Sequence, residues 1–122
     1  MFLTPEHLVK ELYLKPGDRV ADIGCGTGVY TIALAHDVGA MGQVYAVDVH
    51  REALHTLAGT LDKRGIINVE MLWADVEKNI PIDAYSLDAV VMSNILFQLE
   101  NTIDLSIYSL FIFFIYFIIM VN

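Results

Sequence analysis

Apolar and polar positions along the chain fall into short blocks whose period changes between strand-like and helix-like. Thr4-Pro5-Glu6 opens a helix, with Thr4 as N-cap and Pro5 at the first helical position. Leu8, Val9 and Leu12 give it one apolar stripe. Lys15-Pro16-Gly17-Asp18 ends that helix in a turn. Arg19 to Ile23 then reads as a strand, and the unbroken Val20-Ala21 suits burial on both faces. A glycine-rich stretch, Gly24-Cys25-Gly26-Thr27-Gly28, leads into a helix from about Thr27 to near Val38, which Gly39-Ala40-Met41-Gly42 breaks. Gln43 to Val47 forms the second strand, ending at Asp48. His50 to Arg64 forms the next helix, with Leu54, Leu57, Ala58 and Leu61 on one face and Gly65 as C-cap. Asn68 to Trp73 is the third strand, with Asp75 just after it. A loop from Val76 to Tyr85 contains Pro81. Leu87 to Met92 is the fourth strand, and Asn94 to Glu100 starts a further helix.

Strands alternating with helices predict an α/β fold with a mostly parallel sheet and right-handed crossovers. In such sheets ligands lie beyond the carboxyl ends of the strands, near the point where strand order reverses. The first strand, the glycine turn and the helix after it fit that place. Glycines permit positive φ and close backbone approach, and the first N–H groups of a helix are left to donate to a polar ligand.

Three strands end at acidic residues on this edge. Asp22 lies two before Gly24, Asp48 closes the second strand and Asp75 follows the third. A carboxylate at the end of the second strand can accept from ribose hydroxyls, and Asp48 lies 20 residues after Gly28, the separation found in dinucleotide folds. It can equally cap the helix that starts at His50. Asp75 can accept from an adenine amine, or serve only as a turn residue. Asp22 can accept from a ligand ammonium, or hold loop amides and a water. It is the three acids in order, rather than any one, that point to a nucleoside-containing ligand.

Glycine spacing separates two ligand classes. A dinucleotide fingerprint requires glycine or alanine at the sixth position from Gly24, and Val29 stands there. The additional Asp22 suits a sulfonium amino acid, whose ammonium needs a carboxylate and whose carboxylate needs backbone amides.

The net charge of −8 argues against a nucleic-acid partner, which calls for a Lys/Arg surplus. The single cysteine, Cys25, excludes an internal disulfide and fits a reducing, cytoplasmic setting. At 122 residues the chain is one domain at most. Its hydrophobic fraction of 56% exceeds the usual range of about 45–50%, and the excess is concentrated near the C-terminus.

Val20-Ala21-Asp22-Ile23-Gly24-Cys25-Gly26-Thr27-Gly28 resembles the first motif of class I S-adenosylmethionine-dependent methyltransferases. Val44 to Asp48, Val69 to Val76 and Leu87 to Asn94 are similar to their second, third and fourth motifs. The resemblance covers roughly residues 3–101 and implies a Rossmann-like three-layer α/β/α fold, here incomplete after the fourth strand. It implies S-adenosyl-L-methionine as cofactor. Asp22 would be the acid of the first motif. Gly24, Gly26 and Gly28 would wrap the methionine part, Asp48 would bind the ribose and Val49 would pack on adenine. Asp75 would meet the adenine amine, with the Val76 amide near the ring. Ser93 and Asn94 would lie near the methyl or methionine end. The reaction would be direct attack of a substrate nucleophile on the sulfonium methyl. The fourth motif continues Ile95-Leu96-Phe97 rather than with a proline pair, which disfavours an amino-directed nucleic-acid enzyme and leaves a small-molecule acceptor by analogy.

No general base stands out. His36 and His55 read as helix-surface residues; His50 either lines the adenine pocket or has a surface or capping role; His7 sits on the N-terminal helix, which often covers the cofactor in this family, and a substrate-side role is open to it. Cys25 reads as a packing residue rather than a nucleophile. No metal site is expected. The rival readings are a non-catalytic S-adenosylmethionine-binding module, a nicotinamide-dependent oxidoreductase and a membrane-anchored protein. The last rests on residues 105–121, which carry no charge. The segment 102–122 is open to three readings: a membrane helix, an element packed on the sheet edge, or the product of a disrupted reading frame.

Overall fold

The computed structural model describes residues 4–75, 78–79, 81–83 and 86–92. In chain order they form helix α1 (Pro5–Lys10), strand β1 (Arg19–Ile23), helix α2 (Val29–Val38), strand β2 (Gln43–Asp48), helix α3 (Arg51–Arg64), strand β3 (Val69–Trp73) and strand β4 (Ala89–Met92). The strands make one parallel sheet in the order β3-β2-β1-β4. The fold is Rossmann-like. Strand order reverses at β1, so the turn that follows β1 sits at the crevice where ligands bind in such sheets. The expected helix from Asn94 and the segment 102–122, including residues 105–121, lie outside the described residues. Among the described residues no helix is long and apolar enough to cross a membrane.

Register assigns the faces. Val20 pairs with Val44 and Ala89, and Val44 with Val69, so these side chains share one face of the sheet. On that face Val20, Val44 and Val91 pack with Val9 of α1, with Leu12 just beyond it, and with Leu34 and Val38 of α2. Ala46 packs with Leu54, Leu57 and Leu61 of α3. All three helices therefore cover the same face. The alternate positions Ala21, Ile23, Tyr45, Val47, Val90 and Met92 are buried as well. Burial on both faces is the physical reason β1 shows no polar alternation.

Element boundaries move by one to a few residues from the sequence expectation, each for a local reason. α1 stops at Lys10, after which Glu11 and Leu12 donate to the carbonyls of Leu8 and Val9 in a tightened turn. Leu12 still completes the apolar stripe. Thr4 caps α1 as expected, its hydroxyl accepting from the His7 N–H at 3.2 Å. α2 begins at Val29 rather than Thr27, because Gly28 is left-handed at φ 93°. β4 begins at Ala89, with Asp88 anchoring its start. The Asp88 carboxylate accepts from Arg19 N–H at 2.8 Å, and its own N–H donates to the Arg19 carbonyl at 2.7 Å. Asn68, expected as the first residue of β3, instead closes the C-terminal end of α2. Its amide donates to the Ala35 and Gly39 carbonyls at 2.9 and 2.8 Å.

Glycines of the turn after β1 do different jobs. A Cβ on Gly28 would stand 2.2 Å from Leu57 Cδ1, so this glycine lets the start of α2 lie against α3. A Cβ on Gly26 would meet nothing within 4 Å, and its need for glycine is conformational, at φ 56°. Gly28→Ala is expected to cost about 3 kcal/mol of stability, combining left-handed strain with overpacking. Gly26→Ala is expected to cost about 1 kcal/mol. Urea unfolding of the two variants checks this, and equal losses would mean that the approach of α3 does not matter.

Candidate functional site

The turn after β1 is stitched to the end of β2. The Gly24 and Cys25 N–H groups both donate to the Val47 carbonyl, at 2.7 and 3.0 Å. The Gly26 N–H donates to Asp48 Oδ2 at 2.8 Å. β3 is tied in from the other side, where the Ala74 N–H donates to the Asp48 carbonyl at 3.1 Å. The structure thus brings the glycine loop, Asp48, Val49 and the stretch leading to Asp75 to one edge of the sheet. Val49 is half-exposed there, and Asp75, two residues past β3, is partly buried. Val76 and Asn94 lie outside the described residues.

Asp48 is almost fully buried, at 7% exposure, yet its carboxylate is well supplied with donors. Oδ1 accepts from the His50 N–H at 2.8 Å and contacts His50 Nδ1 at 2.9 Å, while Oδ2 accepts from Gly26. Burial pushes its pKa up, but the hydrogen bonds from the His50 and Gly26 amides and the imidazole prevail and hold it below the usual carboxylate value. Asp48 is therefore an ionised acceptor at neutral pH. With one protein donor on Oδ2, that oxygen retains a lone-pair direction for a ligand hydroxyl. His50 occupies the N-cap position of α3 without a side-chain cap of its own. Its ring serves Asp48 instead.

Asp22 is in a different situation. It shares a sheet face with Asp48 but is completely buried. Its Oδ2 accepts from the Thr31 hydroxyl at 2.6 Å, and the Thr31 N–H supports the same carboxylate. Oδ1 has no hydrogen-bond partner. α2 starts from a glycine, which offers no side-chain cap, so a carboxylate from β1 takes the place of a cap on its first turn. The two uses expected for Asp22 were a ligand ammonium or the loop amides. The amide it holds belongs to the helix rather than the loop. Thr31 was not identified from sequence. The signal available was a hydroxyl at the third helical position in an otherwise apolar run.

Cys25 is buried against Ala46, Leu54 and Leu57, and burial, with Asp22 and Asp48 nearby, pushes its thiol up to about 12. It is a packing residue and not a nucleophile at neutral pH. His7, His36 and His55 are exposed on the helices or their ends. Among the described residues no group of three or more His, Cys, Asp or Glu is placed to hold a metal ion.

A hollow of about 420 Å³ bordered by Ile32, His36, Arg64 and Ile66 includes none of Asp22, Gly24, Gly26, Gly28, Asp48, Val49 and Asp75.

The edge thus combines a strand–glycine loop–helix unit, a buried acid before the loop and an ionised acid closing the next strand. Residues 14–111 match the family model described as a methyltransferase domain. The chain belongs to that family. It is 31% identical over 99 residues to the demethylmenaquinone methyltransferase of Geobacillus sp. (strain WCH70), covering 81% of this chain and 41% of that protein. It is 38% identical over 60 residues to a probable cobalt-precorrin-6B C(15)-methyltransferase (decarboxylating) of Saccharolobus solfataricus, covering 49% of this chain and 30% of the relative. Among solved structures, a SAM-dependent methyltransferase from Aquifex aeolicus superposes with a TM-score of 0.72 at 36% identity, over 80% of this chain and 51% of that one. The chain thus spans about a third to a half of the length of these relatives.

Within this methyltransferase domain the environment of Asp22 has a measurable consequence. Desolvation, opposed by the Thr31 hydroxyl and reinforced by the Asp48 charge, raises its pKa from 3.8 to about 6. The folded state therefore holds this proton more tightly than the unfolded chain does. Stability from this group is full below pH 3.8 and is lost as pH rises to about 6, by about 3 kcal/mol in all. Asp22→Asn, which cannot ionise, is expected to remove that part of the pH profile and to unfold at higher urea than the parent above pH 6. Urea midpoints from pH 4 to 8 measure it, and parallel profiles for the two proteins would show that Asp22 does not titrate in this range.

Proposed function

We propose that this chain binds S-adenosyl-L-methionine at the carboxyl edge of its sheet and serves as the cofactor-binding part of a methyltransferase acting on a small-molecule acceptor. The observation that carries the reading is the Asp48 carboxylate, ionised, nearly buried, joined to the Gly26 amide at 2.8 Å and still able to accept on Oδ2. The residues suit this cofactor in three respects. Asp48 supplies an acceptor for a ribose hydroxyl. Gly26 leaves open space where a Cβ would otherwise stand, so a ligand can approach the loop backbone. The unpartnered Oδ1 of buried Asp22 adds negative charge behind that loop, to which a nearby ammonium is drawn. When bound, S-adenosylmethionine supplies an electrophilic methyl on a sulfonium.

The chain's own residues bind and orient. The pairing of Gly24, Cys25 and Gly26 with β2 fixes the loop before any ligand arrives, which lowers the cost of ordering it on binding. Asp48 fixes the ribose, and Val49 offers an apolar surface beside it for adenine. Asp75 is the proposed acceptor for the adenine amine, with Val76 and Asn94 completing the set on the family resemblance. Such a site works through proximity and orientation of the methyl toward the acceptor nucleophile. A second ribose hydroxyl on Oδ1 would have to share that oxygen with His50, so Asp48 holds one hydroxyl firmly and the other in competition with the imidazole.

The small-molecule acceptor is supported by relatives named for demethylmenaquinone and a cobalt-precorrin, and by an acidic chain with no basic run for nucleic acid. The cytoplasm is the proposed compartment, on the single reduced cysteine.

Isothermal titration with S-adenosylmethionine, S-adenosylhomocysteine and NAD tests the cofactor. The two adenosyl compounds are expected to bind and NAD is not, and binding of NAD alone would overturn the proposal. Asp48→Ala is expected to weaken S-adenosylhomocysteine at least about tenfold, since charge-assisted hydrogen bonds are lost. Unchanged affinity would remove Asp48 from the site.

A further inference from the structure

Beside the proposed ribose acceptor, a second group of contacts governs the same turn. The link between β2 and α3 consists of Val49 and His50. The Val49 carbonyl accepts from the Trp73 indole N–H at 2.8 Å. The guanidinium carbon of Arg51, the first residue of α3, stands 3.6 Å from the centre of the Trp73 ring. At that separation the cation lies on the face of the indole, where the ring quadrupole attracts it. Trp73 closes β3 directly opposite Asp48 in the sheet register. The turn is thus held from both sides: by the Asp48 carboxylate through the His50 N–H, and by Trp73 and Arg51 through the Val49 carbonyl.

This cluster is costly unless it has a purpose. Trp73 is 57% exposed and Val49 is 49% exposed, so two large apolar groups are left side by side in water at the ligand edge. α3 has no side-chain cap at its N-terminus, so its first turn does not fix the link by itself.

We propose that Trp73 and Arg51 are positioning residues for the adenosyl end of the cofactor: the stacked pair holds the Val49 carbonyl, and thereby points Val49 and Asp48 at the nucleoside together. The proposal rests on the cofactor reading given above. The indole N–H is the component that holds the carbonyl, and the guanidinium keeps the ring in the plane that lets it do so. The pair acts on the nucleoside and not on the amino-acid end, which belongs to the glycine loop.

The test uses the full chain with two variants and two ligands. Trp73→Phe keeps an aromatic ring for Arg51 but removes the N–H. Arg51→Gln removes the cation and leaves the indole. The ligands are S-adenosylhomocysteine and 5′-methylthioadenosine, which share the adenosyl group but differ in the amino-acid end. Trp73→Phe is expected to weaken both ligands by the same factor, about fivefold, because the Val49 carbonyl is no longer held, and to lower the melting temperature by no more than a few degrees. Trp73 is the only tryptophan in the chain, so its emission reports the site directly. Arg51→Gln is expected to alter that emission in the free protein and to weaken both ligands about threefold. In the unaltered protein either ligand is expected to shift the emission. A loss confined to S-adenosylhomocysteine, or affinity unchanged in both variants, overturns the proposal while leaving the cofactor site standing. Failure of the unaltered chain to bind either ligand overturns the cofactor reading itself, and this proposal with it.

Discussion

The hydrogen bonds from the glycine loop to the end of β2 are the constraint on which the rest of this edge depends. Gly24 and Cys25 share the Val47 carbonyl, and Gly26 reaches the Asp48 carboxylate. For three successive amides to turn toward a neighbouring strand, the backbone must pass through left-handed conformations, which it does at Gly24 and Gly26. The loop is thereby joined to the end of β2 and leads directly into α2. Rigidity of this kind suits a binding edge, because groups that are already aligned lose little freedom when a ligand arrives.

Two carboxylates on one face of the sheet have their pKa values shifted in opposite directions because of where their donors come from. Asp48, at the strand end, faces backbone N–H groups of the loop and of the turn into α3, and remains ionised. Asp22 lies two residues deeper in its strand, has only Thr31 to donate to it, and leaves one oxygen without a partner. Its cost is tolerated because it caps a helix that begins with glycine. That glycine is required for a separate reason, the close approach of Leu57. The glycine at the start of α2 offers no side-chain cap, the acid on β1 supports that first turn, and its raised pKa follows from its burial.

With the solved relative from Aquifex aeolicus the chain shares the overall fold, at a TM-score of 0.72. Trp73 and Arg51 add a local solution to the turn after β2. The two ends of the proposed cofactor would then be held by distinct devices: the amino-acid end by a stitched loop, and the nucleoside end by an anion with an indole beside it.

The fold class was legible from residues 4–92 because the apolar blocks carry a clear period and glycine or proline separates them. Asp48 and the glycine loop were legible too, since strand ends and the glycine spacing are local features. The roles within the loop were not. Gly26 and Gly28 look alike in sequence, yet one meets open space and the other meets Leu57 from a helix 29 residues further along. Thr31 as the partner of Asp22, His50 as a donor to Asp48, Asn68 as a cap on α2 and Trp73 as a donor to Val49 all depend on which elements meet. The sequence by itself determined the strand–glycine loop–helix unit and the acid that closes the second strand, because backbone preference and hydrophobic period act over a few residues. Only the tertiary structure decided which carboxylate's pKa falls and which rises, and which glycine faces a helix and which open space, because burial and donor supply are set by parts of the chain far apart in sequence.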